Sequence, residues 1–139
     1  MPSIRYQRLA NERLPLANKF YKSQRSPMRV GRSEQVWVAQ QAEIIAACCL
    51  KPVADGHWLS ALLVAREQRQ QGVASQLLNT LRGHSQGPIW LFCAPQLLGF
   101  YQRLGFAPCP DLPGELNERL QRYQRKQPLL ALVAAQPGG

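Results

Sequence analysis

The stretch Arg69-Gln70-Gln71-Gly72-Val73-Ala74-Ser75 stands between two runs of different period. Before it, Trp58–Val64 is largely apolar and follows the turn signal Asp55-Gly56, as a strand does. After it, Val73, Leu77 and Leu81 recur at i, i+4 and i+8, with Ala74 and Leu78 beside them. That is the stripe of an amphipathic helix, and Gly83 is read as its stop. A strand, a polar loop and a helix opened by glycine make an anion site from backbone alone. The first helical N–H groups have no intrahelical acceptor, and the helix dipole adds partial positive charge. Gly72 permits a tight turn or a close ligand, and small Ala74 and Ser75 leave the loop accessible.

Toward the N-terminus, Ile4–Leu9 alternates as a strand, and Leu16–Gln24 carries Leu16, Phe20 and Tyr21 at helical spacing. Glu34–Gln41 and Glu43–Leu50 read as two more strands, the second bounded by Pro52. Toward the C-terminus, Gly87-Pro88 breaks the chain before the apolar run Ile89–Cys93. Pro95 then opens a helix striped by Leu97, Phe100, Tyr101 and Leu104, with Gly105 as its left-handed cap. A short strand at Phe106–Cys109, a helix at Glu115–Lys126 and a strand at Leu129–Ala135 complete the order. An antiparallel meander followed by alternating helices and strands implies an α/β fold. Its central sheet is mixed and mostly antiparallel, with helices on both faces.

At 139 residues, 45% of them hydrophobic and 18% charged, the chain suits one domain with a real core. Residues 1–135 are read as that domain and 136–139 as a frayed tail. No apolar run reaches membrane-spanning length and no secretory h-region is visible, so no membrane partner is expected and the expected compartment is the cytoplasm. Cys48, Cys49, Cys93 and Cys109 lack metal spacing, and His57 and His84 lie in unrelated segments, so no metal site is expected. The thiols are read as reduced, mostly core residues. Seventeen Lys and Arg against eight Asp and Glu give a charge of +9, a field that attracts nucleic acid, anionic membranes and phosphorylated cofactors alike. No nucleic-acid-binding motif accompanies the charge, and the aromatics are not interleaved with it, which argues against nucleic acid.

Two motifs together narrow the choice. Arg69-Gln70-Gln71-Gly72-Val73-Ala74 resembles the R/Q-x-x-G-x-G/A loop of the Gcn5-related N-acetyltransferase (GNAT) family. Phe100-Tyr101-Gln102-Arg103-Leu104-Gly105-Phe106 resembles its F-Y-x-x-L-G-F segment, and the strand between them matches too. The resemblance covers about residues 4–109. It implies the acyl-CoA N-acyltransferase fold, splayed between the fourth and fifth strands, with acetyl-CoA as co-substrate in that gap. Carried over, Leu62, Leu63 and Val64 offer backbone to pantetheine and the thioester carbonyl. The N–H groups of Gln70, Gln71, Gly72, Val73, Ala74 and Ser75 would hold the pyrophosphate, with Arg69 adding charge. Tyr101 takes the role of general acid toward the departing thiolate.

The sequence also departs from the family pattern. Gln70 replaces a frequent glycine, which suits the loop if its φ stays negative. Ala94 stands where relatives often carry Asn, and Ile89 where some N-terminal acetylases carry a Glu base. The base is therefore unassigned among His57, Glu43, Glu67 and a water relay. A helix bearing Arg119, Arg122, Arg125 and Lys126 replaces a short hairpin and makes an anionic acceptor conceivable. The acceptor is a small-molecule or peptide amine, and the alternative is a non-catalytic acyl-CoA-binding regulator. Monomer and homodimer, acyl chain length and the acceptor's identity all stay open.

Overall fold

The computed structural model describes residues 3–135. The expected tail at 136–139 lies outside them. Seven strands appear in the expected order: β1 (Arg5–Arg8), β2 (Gln35–Gln40), β3 (Ile44–Val53), β4 (Gly56–Val64), β5 (Ile89–Cys93), β6 (Ala107–Pro108) and β7 (Leu130–Ala134). Four helices intervene: α1 (Leu14–Ser23), α2 (Val73–His84), α3 (Leu98–Arg103) and α4 (Gly114–Gln124). The sheet order is β1-β2-β3-β4-β5-β7-β6. It is mostly antiparallel, with β4 and β5 the parallel pair.

The chain divides into two compact units. One runs to Lys51 and takes in Leu59–Ser85; the other comprises Pro52–Trp58 and the chain from Gln86 onward. Strand β4 begins in the second and ends in the first.

In the first unit, alternation along β2 sends Val36 and Val38 to one face and Trp37 to the other. Val36 and Val38 share a core with Ala47, Cys49 and the α1 residues Ala17, Phe20 and Tyr21. Trp37 instead meets the ring of His84, at the end of α2, with centroids 5.5 Å apart. Helix α2 buries Val73, Leu77, Leu78 and Leu81 and packs on β1 and β2. The two helices therefore cover opposite faces. In the second unit Val53, Trp58, Trp90 and Leu116 form a core, bordered by Phe92 and Val133. There β7 pairs antiparallel with β5, Leu91 opposite Leu132, and with β6.

Several boundaries differ from the sequence reading. Strand β3 runs through exposed Pro52 to Val53, and the turn falls at Ala54-Asp55, so that Gly56 already belongs to β4. Helix α2 passes through Gly83 and ends at His84, because its stop is the extended Ser85 rather than a glycine cap. Gly105, at φ 95°, does cap α3. On α1 it is Ala17 that joins Phe20 and Tyr21 in the core, while Leu16 is exposed. Leu97 is exposed as well, in a short 3-10 turn before α3.

Candidate functional site

The segment singled out by sequence forms a continuous piece of the first unit. The side chains of Ala61, Leu62, Leu63 and Val64 are all half-buried, although Leu59, earlier on β4, is fully packed. Past Ala65 a 3-10 turn, Arg66–Gln68, leads into Arg69. The Ala65 N–H bonds the Ile45 carbonyl at 2.7 Å, so the last tie to β3 sits at the mouth of the loop.

At the helix entry Gly72 takes φ +76° and provides no side-chain cap. A Cβ built there would meet no atom within 4 Å, so the space beside it is open. The first intrahelical bond runs from the Gln76 N–H to the Gly72 carbonyl at 3.0 Å. The N–H groups of Val73, Ala74 and Ser75 thus precede the ladder and have no helical acceptor. Val73 is 2% exposed and anchors the turn in the core, whereas Arg69, Gln70, Gln71 and Gly72 are exposed. Ala74 and Ser75 are half-buried, less accessible than their size suggests. Among the described residues this loop can cradle a pyrophosphate through backbone donors, with the helix dipole behind them.

Gln70 stands at φ +65°. The sequence reading required a negative φ for a side chain there, and the loop does not provide one. It keeps the left-handed turn that glycine makes without strain, and Gln70 carries the cost.

A second left-handed residue lies within β4 itself. Ala61, at φ +55°, interrupts an otherwise extended strand. A left-handed residue inside a strand is how glycine-type bulges begin, and such kinks re-aim the backbone next to them. The kink is tied from α1. The hydroxyl of Tyr21, a fully buried residue, donates to the Ala61 carbonyl at 2.7 Å and lies 3.8 Å from Cys49 Sγ. A non-glycine residue in this region costs about 1–2 kcal/mol. A buried hydrogen bond contributes about 1 kcal/mol net. The tie is therefore of the same order as the cost of the kink. Burial, with Cys49 and Cys48 adding to it, pushes the Tyr21 phenol well above its usual range. That environment favours the neutral, hydrogen-donating form. Sequence reasoning placed Tyr21 only on a helix stripe, and nothing in the sequence marks Ala61.

The base candidates separate. Glu43 and Glu67, both exposed, line one cavity of about 470 Å³ together with Phe20, Ile45 and Ala65, next to the end of β4. His57 is not a solvated turn residue. It lies within β4, half-buried, and its Nδ1 is buried without a hydrogen-bond partner. Seven positions along β4 separate it from Val64, with the left-handed Ala61 between them.

In the second unit Tyr101 lies on α3 and is 8% exposed. Its ring meets Phe100 and Phe106 edge-on, at centroid distances of 5.0 and 5.8 Å. The cations of α4 are not equivalent. The guanidinium of Arg119 sits 4.4 Å from the Trp58 ring centre, while Arg122, Arg125 and Lys126 are exposed. Cys48, Cys49 and Cys93 are buried free thiols, and Cys109 is half-buried. Among the described residues no group of three His, Cys, Asp or Glu is placed to hold a metal, and no helix is long and apolar enough to cross a membrane.

No curated protein matches the sequence significantly. Solved structures do match in fold. Tetrahymena GCN5 superposes with a TM-score of 0.70 at 15% identity, covering 95% of this chain and 96% of that one. The ribosomal-protein-S18-alanine N-acetyltransferase of Escherichia coli gives 0.66 at 15%, covering 99% and 96%. N-acetylglutamate synthase from Neisseria gonorrhoeae, solved with coenzyme A and N-acetyl-glutamate, gives 0.65 at 17%, covering 98% of this chain and 35% of that one. At these identities they establish the fold alone. The model for the acetyltransferase (GNAT) domain matches residues 32–108, more than half of the sequence, and includes both the Gly72 loop and the Tyr101 segment. On that match, the chain belongs to the GNAT acetyltransferase family.

Proposed function

We propose that this protein moves an acetyl or related acyl group from acetyl-CoA to a primary amine, by direct attack within a ternary complex. The observation that carries the reading is the continuous segment from Ala61 to Ser75. It offers a kinked strand end of half-buried residues, then an open glycine turn, then N–H groups without helical acceptors. These groups fit the two ends of an acyl-CoA, an extended amide-bearing arm and a pyrophosphate. Residues Gln70–Ser75 would hold the phosphates, Arg69 would add charge, and the backbone of Leu62–Val64 would face the arm and the thioester.

In the reaction the amine nitrogen attacks the thioester carbonyl carbon, forming C–N while C–S breaks. Backbone N–H groups aimed at the carbonyl oxygen stabilise the charge that develops on it. The electron pair of the broken bond leaves on sulfur, and the Tyr101 hydroxyl gives that sulfur a proton. The amine's own proton passes to a carboxylate or to water. Glu43 and Glu67, which share a cavity near the end of β4, are better supported for this than His57. Acetyl-CoA as co-substrate favours a cytoplasmic setting, and the shared strand β4 favours a single domain.

The acceptor is a small-molecule or peptide amine. An anionic acceptor would draw on Arg122, Arg125 and Lys126, since Arg119 is engaged with Trp58. The second reading, a non-catalytic acyl-CoA-binding regulator, has the same loop but no use for Tyr101. A panel of primary amines with acetyl-CoA, read by free-thiol release, separates the two. Amine-dependent release supports the enzyme, and CoA binding without release from any amine supports the regulator.

A further inference from the structure

We propose that Tyr21 is a positioning residue for acyl transfer, its hydroxyl holding the kink at Ala61 and thereby aiming the backbone of Leu62–Val64. The inference rests on the acyltransferase reading above. Three observations converge on it. Ala61 is a non-glycine residue at φ +55° in the middle of a strand, a conformation that does not persist without support. The Tyr21 hydroxyl reaches the carbonyl of that same residue at 2.7 Å from a helix forty positions earlier in the chain. The side chains that follow the kink, Leu62 to Val64, are half-buried, and their backbone is the stretch assigned to the thioester.

Packing alone does not call for this hydroxyl. Tyr21 shares its core with Phe20, Val36, Val38 and Ala47, and a phenylalanine would fill the same space without a polar group to satisfy. The hydroxyl is buried because it has a carbonyl to hold. Its other neighbour, Cys49, contributes a weak sulfur contact at 3.8 Å and provides a control.

The test uses the full chain, acetyl-CoA and an amine acceptor from the panel. Tyr21→Phe is expected to lower kcat about 10- to 100-fold, the scale of a small misplacement of reacting groups. The KM for acetyl-CoA should change less than kcat, since the loop from Arg69 to Ser75 still holds the other end of the ligand. Amide hydrogen exchange at Leu62 and Leu63 should quicken in the same variant. Adding Ala61→Gly, which holds a positive φ without support, should recover most of the lost kcat. Ala61→Val, whose β-branched side chain opposes that φ, should reproduce the loss with Tyr21 intact, and it carries the test if Tyr21→Phe does not fold. Cys49→Ala should leave kcat unchanged. Wild-type kcat in Tyr21→Phe or in Ala61→Val overturns the proposal, as does an equal loss in Cys49→Ala or a failure of Ala61→Gly to rescue. If the wild-type chain releases no thiol with any amine, the enzymatic reading fails instead, and amide exchange alone decides whether Tyr21 holds the kink.

Discussion

Arg69 Nε donates to the carbonyl of Val64 at 3.2 Å, tying the start of the Arg69–Ser75 loop to the last residue of β4. The arginine therefore has two tasks. One edge of the guanidinium fixes where the strand hands over to the loop, and its charge remains available to a phosphate. Arg69→Lys keeps the charge and loses the planar Nε–H. It is expected to weaken CoA binding about fivefold, the equivalent of one lost hydrogen bond of about 1 kcal/mol. Arg69→Gln should weaken it further. Equal affinities for Arg69→Lys and the wild type, by titration calorimetry, would show that only the charge matters.

Gln70 carries a left-handed backbone that glycine adopts without strain. Gln70→Gly is expected to raise stability by up to about 1 kcal/mol, the relief at φ +65° being partly offset by the greater entropy of unfolded glycine. CoA affinity should hold or improve. Chemical denaturation decides the first point, and a loss of stability would mean that the Gln70 side chain supports the loop.

Tyr101 is where a general acid and a core tyrosine make different forecasts. Its ring packs edge-on against Phe100 and Phe106 and is 8% exposed, so Phe should keep the packing. As the acid, Tyr101→Phe lowers kcat about 10²–10⁴-fold at unchanged KM for acetyl-CoA. A variant with wild-type kcat and a lower Tm would leave Tyr101 a packing residue only.

Alkali should destabilise the fold. Burial pushes the Cys48 thiol well above its ordinary range and the Cys49 thiol up to about 12, and the Tyr21 phenol moves the same way. All three are neutral acids in the fold, with pKa values higher than in the unfolded chain. Their contribution is complete below the unfolded thiol range and is lost as pH rises through the folded values. The unfolding free energy should therefore fall from about pH 9 upward. Cys49→Ala should show a shallower fall between pH 9 and 11, and an identical slope would assign the loss to other groups.

Most of the architecture was legible because each element carries its own period and its own stop. Val73, Leu77 and Leu81 give α2, Pro95 and Gly105 bracket the third helix, and the apolar Ile89–Cys93 gives β5. Boundaries shifted where a breaker residue sits on an exposed edge, as Pro52 does, or inside a helix whose packing outweighs it, as Gly83 does. The GNAT loop was legible through Gly72, whose left-handed turn only glycine makes freely. The kink at Ala61 was not, because alanine in a strand announces no positive φ. Nor was Tyr21's partner. Periodicity shows which face of a helix is buried, but not which carbonyl, forty residues on, a buried hydroxyl will meet.

The central claim is that acyl-CoA is held by the loop from Arg69 to Ser75. Titration of CoA into the wild-type chain and into Gly72→Asp tests it most directly. The space beside Gly72 is open, and aspartate is among the side chains that tolerate a positive φ, so the variant should fold, as circular dichroism will show. A carboxylate beside the pyrophosphate should then lower CoA affinity at least about tenfold. Tight binding by the wild type and its loss in folded Gly72→Asp is the predicted result. Equal binding by the two, or no binding by the wild type, would contradict the account.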